Sequence, residues 1–136
     1  MAAQSAHFTL AYTGLGLSPD GGSTWLLPRL VGLRKAQEMA LTNRRVAAGE
    51  AAEMGLVTRV VEDDALMVEA EALARKMAES AVHAVGRTRN LLLSSFSATL
   101  ETQMEAEARA IAEAGRDPES REGISAYADR RPPRFI

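Results

Sequence analysis

Only two runs of this sequence read as β-strands, and more than forty residues separate them. The first, His7-Phe8-Thr9-Leu10-Ala11-Tyr12, alternates in polarity; the second, Leu56-Val57-Thr58-Arg59-Val60-Val61, is β-branched. Two isolated strands make no sheet that stands alone, because each needs neighbours for its backbone groups and its apolar face. Such a chain either pairs its strands across copies of itself or belongs to a larger fold. The rest reads as helix. The predicted class is therefore mainly α with short β strands (α+β).

The breakers place the elements. Residues 1–32 hold five of the ten glycines. Gly14 to Gly22 is too rich in Gly and Pro for a regular element and reads as a loop. A helix is predicted from Gly21–Ser23 to Gly32, kinked or confined to its first turns by Pro28. Helices follow over Leu33–Leu41 and Ala47–Met54, the second closed by Gly55. Residues 63–130 are rich in Ala, Glu and Arg. Asp63 or Asp64 is a candidate cap for a helix with the stripe Leu66, Ala70, Leu73, Met77. A second helix carries Val82, Val85, Leu92 and Phe96, and a third aligns Leu100, Met104, Ala108 and Ile111. Glu105 and Arg109 make an i,i+4 pair on the third. Asp117-Pro118 then opens a last helix as N-cap and N1.

Composition narrows the function. A chain of 136 residues fits one domain or a large piece of one. Its 46% hydrophobic and 25% charged residues are ordinary globular usage, which argues against wholesale disorder. Aromatics are only 4%, which leaves Ala, Leu, Val and Met to build the core. Sixteen basic against eighteen acidic side chains give a net charge of −2 and no field to hold nucleic acid or a membrane. There is no cysteine, hence no disulfide, thiolate metal site or Cys nucleophile. Two histidines make no His-rich metal site, so no metal is expected. No apolar run approaches the ~20 residues that span a bilayer. Met1-Ala2-Ala3-Gln4 shows no signal-peptide pattern, so a cytoplasmic location is expected.

Asp20 is the residue best placed for chemistry. A carboxylate just before a helix meets unpaired N–H groups and the positive end of the macrodipole. Its flanking glycines admit a substrate, and Leu15, Leu17, Trp25 and Leu26 supply apolar surroundings. Such a carboxylate can move a proton on and off a carbon acid; an ordinary N-cap is the plainer alternative. Gly14-x-Gly16 lacks the third glycine of a dinucleotide fingerprint, and no Gly-Lys-Ser/Thr follows it. Neither His7 nor His83 has a visible catalytic partner. Arg29, Arg34, Lys35, Arg44 and Arg45 form a local basic group, and Arg130 to Arg134 a basic tail. Each is either a solvated face or an anion contact.

The run Ala6-His7-Phe8-Thr9-Leu10-Ala11-Tyr12-Thr13-Gly14-Leu15-Gly16-Leu17-Ser18-Pro19-Asp20-Gly21-Gly22-Ser23-Thr24 resembles the central segment of crotonase (enoyl-CoA hydratase/isomerase) proteins. Leu27 to Gly32, Ala40 to Arg44, Glu50 to Val57 and Ala126 to Phe135 resemble the same family in the same order. The resemblance implies the C-terminal portion of the crotonase (ClpP-like β/β/α superhelix) fold. Residues 1–62 would be a remnant of its core with the active-site loop, and 63–136 a helical oligomerisation region, trimeric or hexameric by family.

It also implies acyl-CoA thioester substrates, with CoA part of the substrate and no separate cofactor. Two backbone N–H groups would stabilise a thioester enolate while carboxylates shuttle protons. The hydratases' Pro-Glu pair, which would match Ala11-Tyr12, is absent. In a subset that includes the phenylacetate-pathway ring-opening isomerases, a Ser-Pro-Asp-Gly-Gly loop supplies the catalytic Asp, here Asp20. Aryl-CoA dehalogenases use a similarly placed Asp as nucleophile. Ala11, Tyr12, Leu17 and Trp25 would contact the acyl group, and Arg130 and Arg131 the CoA phosphates. Family members are about twice this length, and the half preceding Met1 would hold the oxyanion-hole amides. Met1 is then expected to be an internal methionine or a boundary, and the isolated chain nearly inactive. A non-enzymatic self-association module is the alternative.

Overall fold

The computed structural model describes residues 1–135, which form two compact units, Met1–Glu71 and a second from Ala72 onward. The element order is β1 (Ala2–Ala3), β2 (His7–Phe8), α1 (Ser23–Val31), α2 (Leu33–Thr42), β3 (Val46–Ala47), α3 (Ala48–Glu53), β4 (Val60–Val61), α4 (Leu66–Ala78), α5 (Val82–Ser94), α6 (Leu100–Ala114) and α7 (Pro118–Ala128).

Both predicted strands shrink to two residues. β1 pairs with β4 in parallel, Ala2 opposite Val60, and β2 pairs with β3 antiparallel, Phe8 opposite Val46. A strand extends only as far as its partner does. Beyond Phe8 the chain turns, and the amides of Leu15 and Leu17 both donate to the Tyr12 carbonyl, at 2.9 and 3.0 Å. The amides of Leu56 and Val57 donate to Ala51 O instead of a ladder.

The first unit is organised by α1 and α2. Gly32 divides them with φ 82° and ψ 153°, a conformation closed to other residues. α1 runs to Val31, within the predicted bounds, so Pro28 does not confine it to its first turns. Proline removes one bond, to the Thr24 carbonyl. Its own carbonyl stays in the ladder, with Gly32 N donating to Pro28 O at 3.0 Å, and Leu27 and Val31 are buried on either side of it. Leu27, Val31, Ala36, Met39, Val46, Ala51 and Met54 form the core, with Phe8, Leu10, Leu56 and Val57 packed around them. Arg44 ties α2 to α3: its Nε lies 3.4 Å from Glu38 and its guanidinium grips Glu50 bidentately.

The second unit is held by polar contacts. Glu119 accepts from the backbone N–H groups of His83 and Ala84, at 3.2 and 3.4 Å, and so caps α5 from α7. Asp117 stands at the N-cap of α7, but its carboxylate meets Arg87 Nη1 at 2.5 Å and caps nothing. Asp63 likewise turns away from α4 and accepts from Ser5 N at 2.9 Å. The Glu105–Arg109 pair forms at 2.8 Å. The predicted apolar stripes of α5 and α6 exist, but they face outward, whereas Leu66 and Ala70 on α4 are half-buried. Leu92, Leu100 and Ile111 are 64%, 71% and 74% exposed, and Ala126 is the only hydrophobic residue beyond Glu71 fully buried among the described residues. Helical periodicity is a property of one helix; burial needs a second surface. Among the described residues no helix is long and apolar enough to cross a membrane.

Candidate active site

The loop before α1 is shaped by Gly21 and Gly22, at φ 60° and 77°. Two successive left-handed residues turn the chain sharply, so Gly22 rather than Asp20 occupies the cap position. The Asp20 backbone carbonyl takes the first turn, accepting from Ser23 N at 3.0 Å and Ser23 Oγ at 2.8 Å. The side chain, expected to face the helix amides, swings back instead: its Oδ1 accepts from the Tyr12 hydroxyl at 2.8 Å. That hydrogen bond, and then the charge of Asp20, raise the Tyr12 phenol above the ordinary tyrosine range.

The expected apolar enclosure of Asp20 is not formed by these residues alone. Leu15 is 75% exposed, Leu17 59%, and Trp25 and Leu26 are exposed as well. Ala11 is also exposed. Enclosing a loop takes a second wall, and none of these side chains provides one. Trp25 instead lies under the Arg29 guanidinium, 3.8 Å from the ring centroid.

One turn further on, an apolar cavity of about 240 Å³ opens beside Ser23 and Thr24 and runs along α1 and α2, lined by Leu10, Leu27, Pro28, Leu33, Ala36, Gln37, Ala40 and Leu41. Asp20, Tyr12 and Trp25 are not among its walls. Sequence reasoning missed this cavity, because its lining is shared between two helices. It also missed Asn43, visible only as a helix end, whose side chain holds the Thr13–Gly14 turn.

In the second unit the tail is clamped. Arg131 reaches both oxygens of Glu122, at 2.7 and 2.9 Å, and Arg134 N donates to the same carboxylate at 2.7 Å. Arg130 adopts φ 54°, in the left-handed region. The Arg131 hydrogen bonds, followed by the Arg134 amide, hold Glu122 at about 2. A depressed carboxylate stabilises its contacts fully above its unfolded pKa, near 4.3, and loses them as pH falls toward the folded value. The tail is expected to stay docked at pH 6 and to release between about pH 4 and pH 2. Amide exchange at Arg134 would report this, and Glu122→Gln should loosen the tail at neutral pH.

The family profile described as Enoyl-CoA hydratase/isomerase matches residues 1–136. The 1,2-epoxyphenylacetyl-CoA isomerase of Escherichia coli (strain K12) is 39% identical over 99% of this chain and 52% of its own length. The 4-chlorobenzoyl coenzyme A dehalogenase-1 of Arthrobacter sp is 36% identical over 78% of this chain and 38% of its own. A crystal structure of an enoyl-CoA hydratase/isomerase from Cupriavidus metallidurans CH34 superposes with a TM-score of 0.90 at 37% identity, covering 96% of this chain and 49% of that one. The chain belongs to the enoyl-CoA hydratase/isomerase family and spans about half the length of the relatives it matches.

Proposed function

We propose that this chain is the C-terminal part of an acyl-CoA-binding enoyl-CoA isomerase/hydratase in which Asp20 is the acid/base. The carrying observation is the Tyr12–Asp20 hydrogen bond inside the Ser-Pro-Asp-Gly-Gly loop. Asp20 removes a proton from a carbon conjugated with the thioester, the electron pair moves onto the thioester oxygen, and the same carboxyl returns the proton to a different carbon. The double bond shifts, and no metal or tightly bound cofactor is required. Two backbone N–H groups must stabilise the enolate, and in this reading they come from the half of the fold outside these 136 residues. Ala11, Tyr12, Leu17 and Trp25 then form one wall of the acyl site, and Arg130 and Arg131 approach the CoA phosphates. Residues 1–62 carry the core remnant and 63–136 the oligomerisation region. The isomerase name of a 39% identical relative favours this chemistry, and a cytoplasmic location accords with it.

The purified 136-residue chain is expected to be nearly inactive. Loss of one oxyanion donor commonly costs ~10²–10³ in turnover, and here both are outside the chain. Incubation with an enoyl-CoA, followed by chromatography of the thioesters, tests this; measurable isomerisation would overturn the division of the site.

The exposed faces of α5 and α6 favour a second reading, a helical module that self-associates without catalysis. Either reading expects an oligomer, trimeric or hexameric if it follows the family, and a monodisperse monomer in sedimentation at high concentration would count against both.

A further inference from the structure

The turn that follows Tyr12 is held by a residue thirty positions away from Thr13. Asn43 closes α2 with φ 52°. Its Oδ1 accepts from Gly14 N at 3.1 Å and shares the single hydroxyl proton of Thr13, whose Oγ1 lies 3.0 Å from Asn43 Oδ1 and 2.8 Å from Ala40 O. Its main-chain oxygen accepts from Thr9 Oγ1 at 3.1 Å. The fit is close: a Cβ on Gly14 would stand 3.3 Å from Asn43 Nδ2. These contacts stitch both flanks of Tyr12 to the end of α2.

We propose that Asn43 is a positioning residue for Asp20: its side chain fixes the Thr13–Gly14 turn, which aims the Tyr12 hydroxyl at the Asp20 carboxylate. This rests on the reading of Asp20 as the acid/base. The residue type suits two demands at once. Asparagine tolerates the left-handed backbone, and its amide oxygen accepts from a hydroxyl and an N–H together. Glycine meets the first demand only; aspartate meets both. The consequence for a reaction is geometric, since a carboxylate free to rotate spends less time in the orientation that reaches a substrate carbon.

The test uses the full 136-residue chain with ¹³C-labelled tyrosine. Tyr127→Phe makes Tyr12 the sole tyrosine of the two. The ring Cζ signal is followed through alkaline pH, and exchange of the Gly14 amide is measured near neutrality. Tyr12 is expected to ionise above the ordinary tyrosine range, and Asp20→Asn should bring it down. Asn43→Gly should lower it likewise and abolish Gly14 protection, whereas Asn43→Asp should retain both. Thr13→Val, which removes one donor to Asn43, provides a second variant should Asn43→Gly fail to fold. A folded Asn43→Gly with unchanged Tyr12 ionisation would overturn the proposal, as would identical behaviour of the Gly and Asp variants. These readouts need no turnover. Failure of the enzymatic reading would appear only in thioester assays and would leave them intact.

Discussion

Asp20→Asn is expected to lower isomerisation by ~10²–10⁴-fold in any assembly in which this chain turns over an enoyl-CoA, the range supplied by a positioned acid/base. The substitution is nearly isosteric. Asparagine still offers an oxygen to the Tyr12 hydroxyl, which stands 2.8 Å away, so the loop has no reason to rearrange. What it cannot do is hold and return a proton. The loss should therefore fall on kcat with little change in KM. Deuterium uptake from D₂O into the substrate gives a second readout, because enolate formation itself depends on the carboxylate. Retention of a tenth or more of the activity would remove Asp20 from the reaction and return it to the role of a loop carboxylate.

Met39→Ala is expected to destabilise the first unit by ~2–5 kcal/mol, the usual cost of truncating a large core side chain. Met39 is 2% exposed and sits on α2 among the seven buried side chains of the cluster. With so few buried residues, the deletion removes a large share of the packing. Trp25 is the only tryptophan and lies in this unit, so its fluorescence follows the transition directly. The midpoint in urea should fall by about 1–5 M at an m-value of ~1–2 kcal/mol/M, typical of a small unit. Met39→Leu, which conserves volume, should cost under ~1.5 kcal/mol. Equal effects from the two variants would mean that the cluster is not a packed core.

The two predictions probe different parts of one arrangement. The core of α1, α2, α3 and β3 fixes where α1 begins and where α2 ends. Those two points carry the glycine turn on one side and Asn43 on the other. Tyr12 lies between them and reaches Asp20. Loss of the core should thus disturb the pair from a distance, whereas Asp20→Asn should leave the fold intact.

Much of this was legible in the residues themselves. Gly32 and Gly55 mark helix ends because their left-handed or otherwise glycine-specific backbone is a local demand. The helices from Leu33 onward follow from propensity and a 3.6-residue period, which are also local. The Ser-Pro-Asp-Gly-Gly loop announced its carboxylate for the same reason. Three things were decided only by the tertiary structure. The strands stop at two residues because their length depends on neighbours far along the chain. Asp20, Asp63 and Asp117 look like helix caps, yet each carboxylate is claimed by a distant donor: the Tyr12 hydroxyl, the Ser5 amide or the Arg87 guanidinium. The stripes of α5 and α6 are correct as periodicity but uncovered as surfaces. Backbone preference and repeat are written into consecutive residues, whereas the satisfaction of a strand edge, a carboxylate or an apolar face depends on whatever the rest of the fold brings within reach.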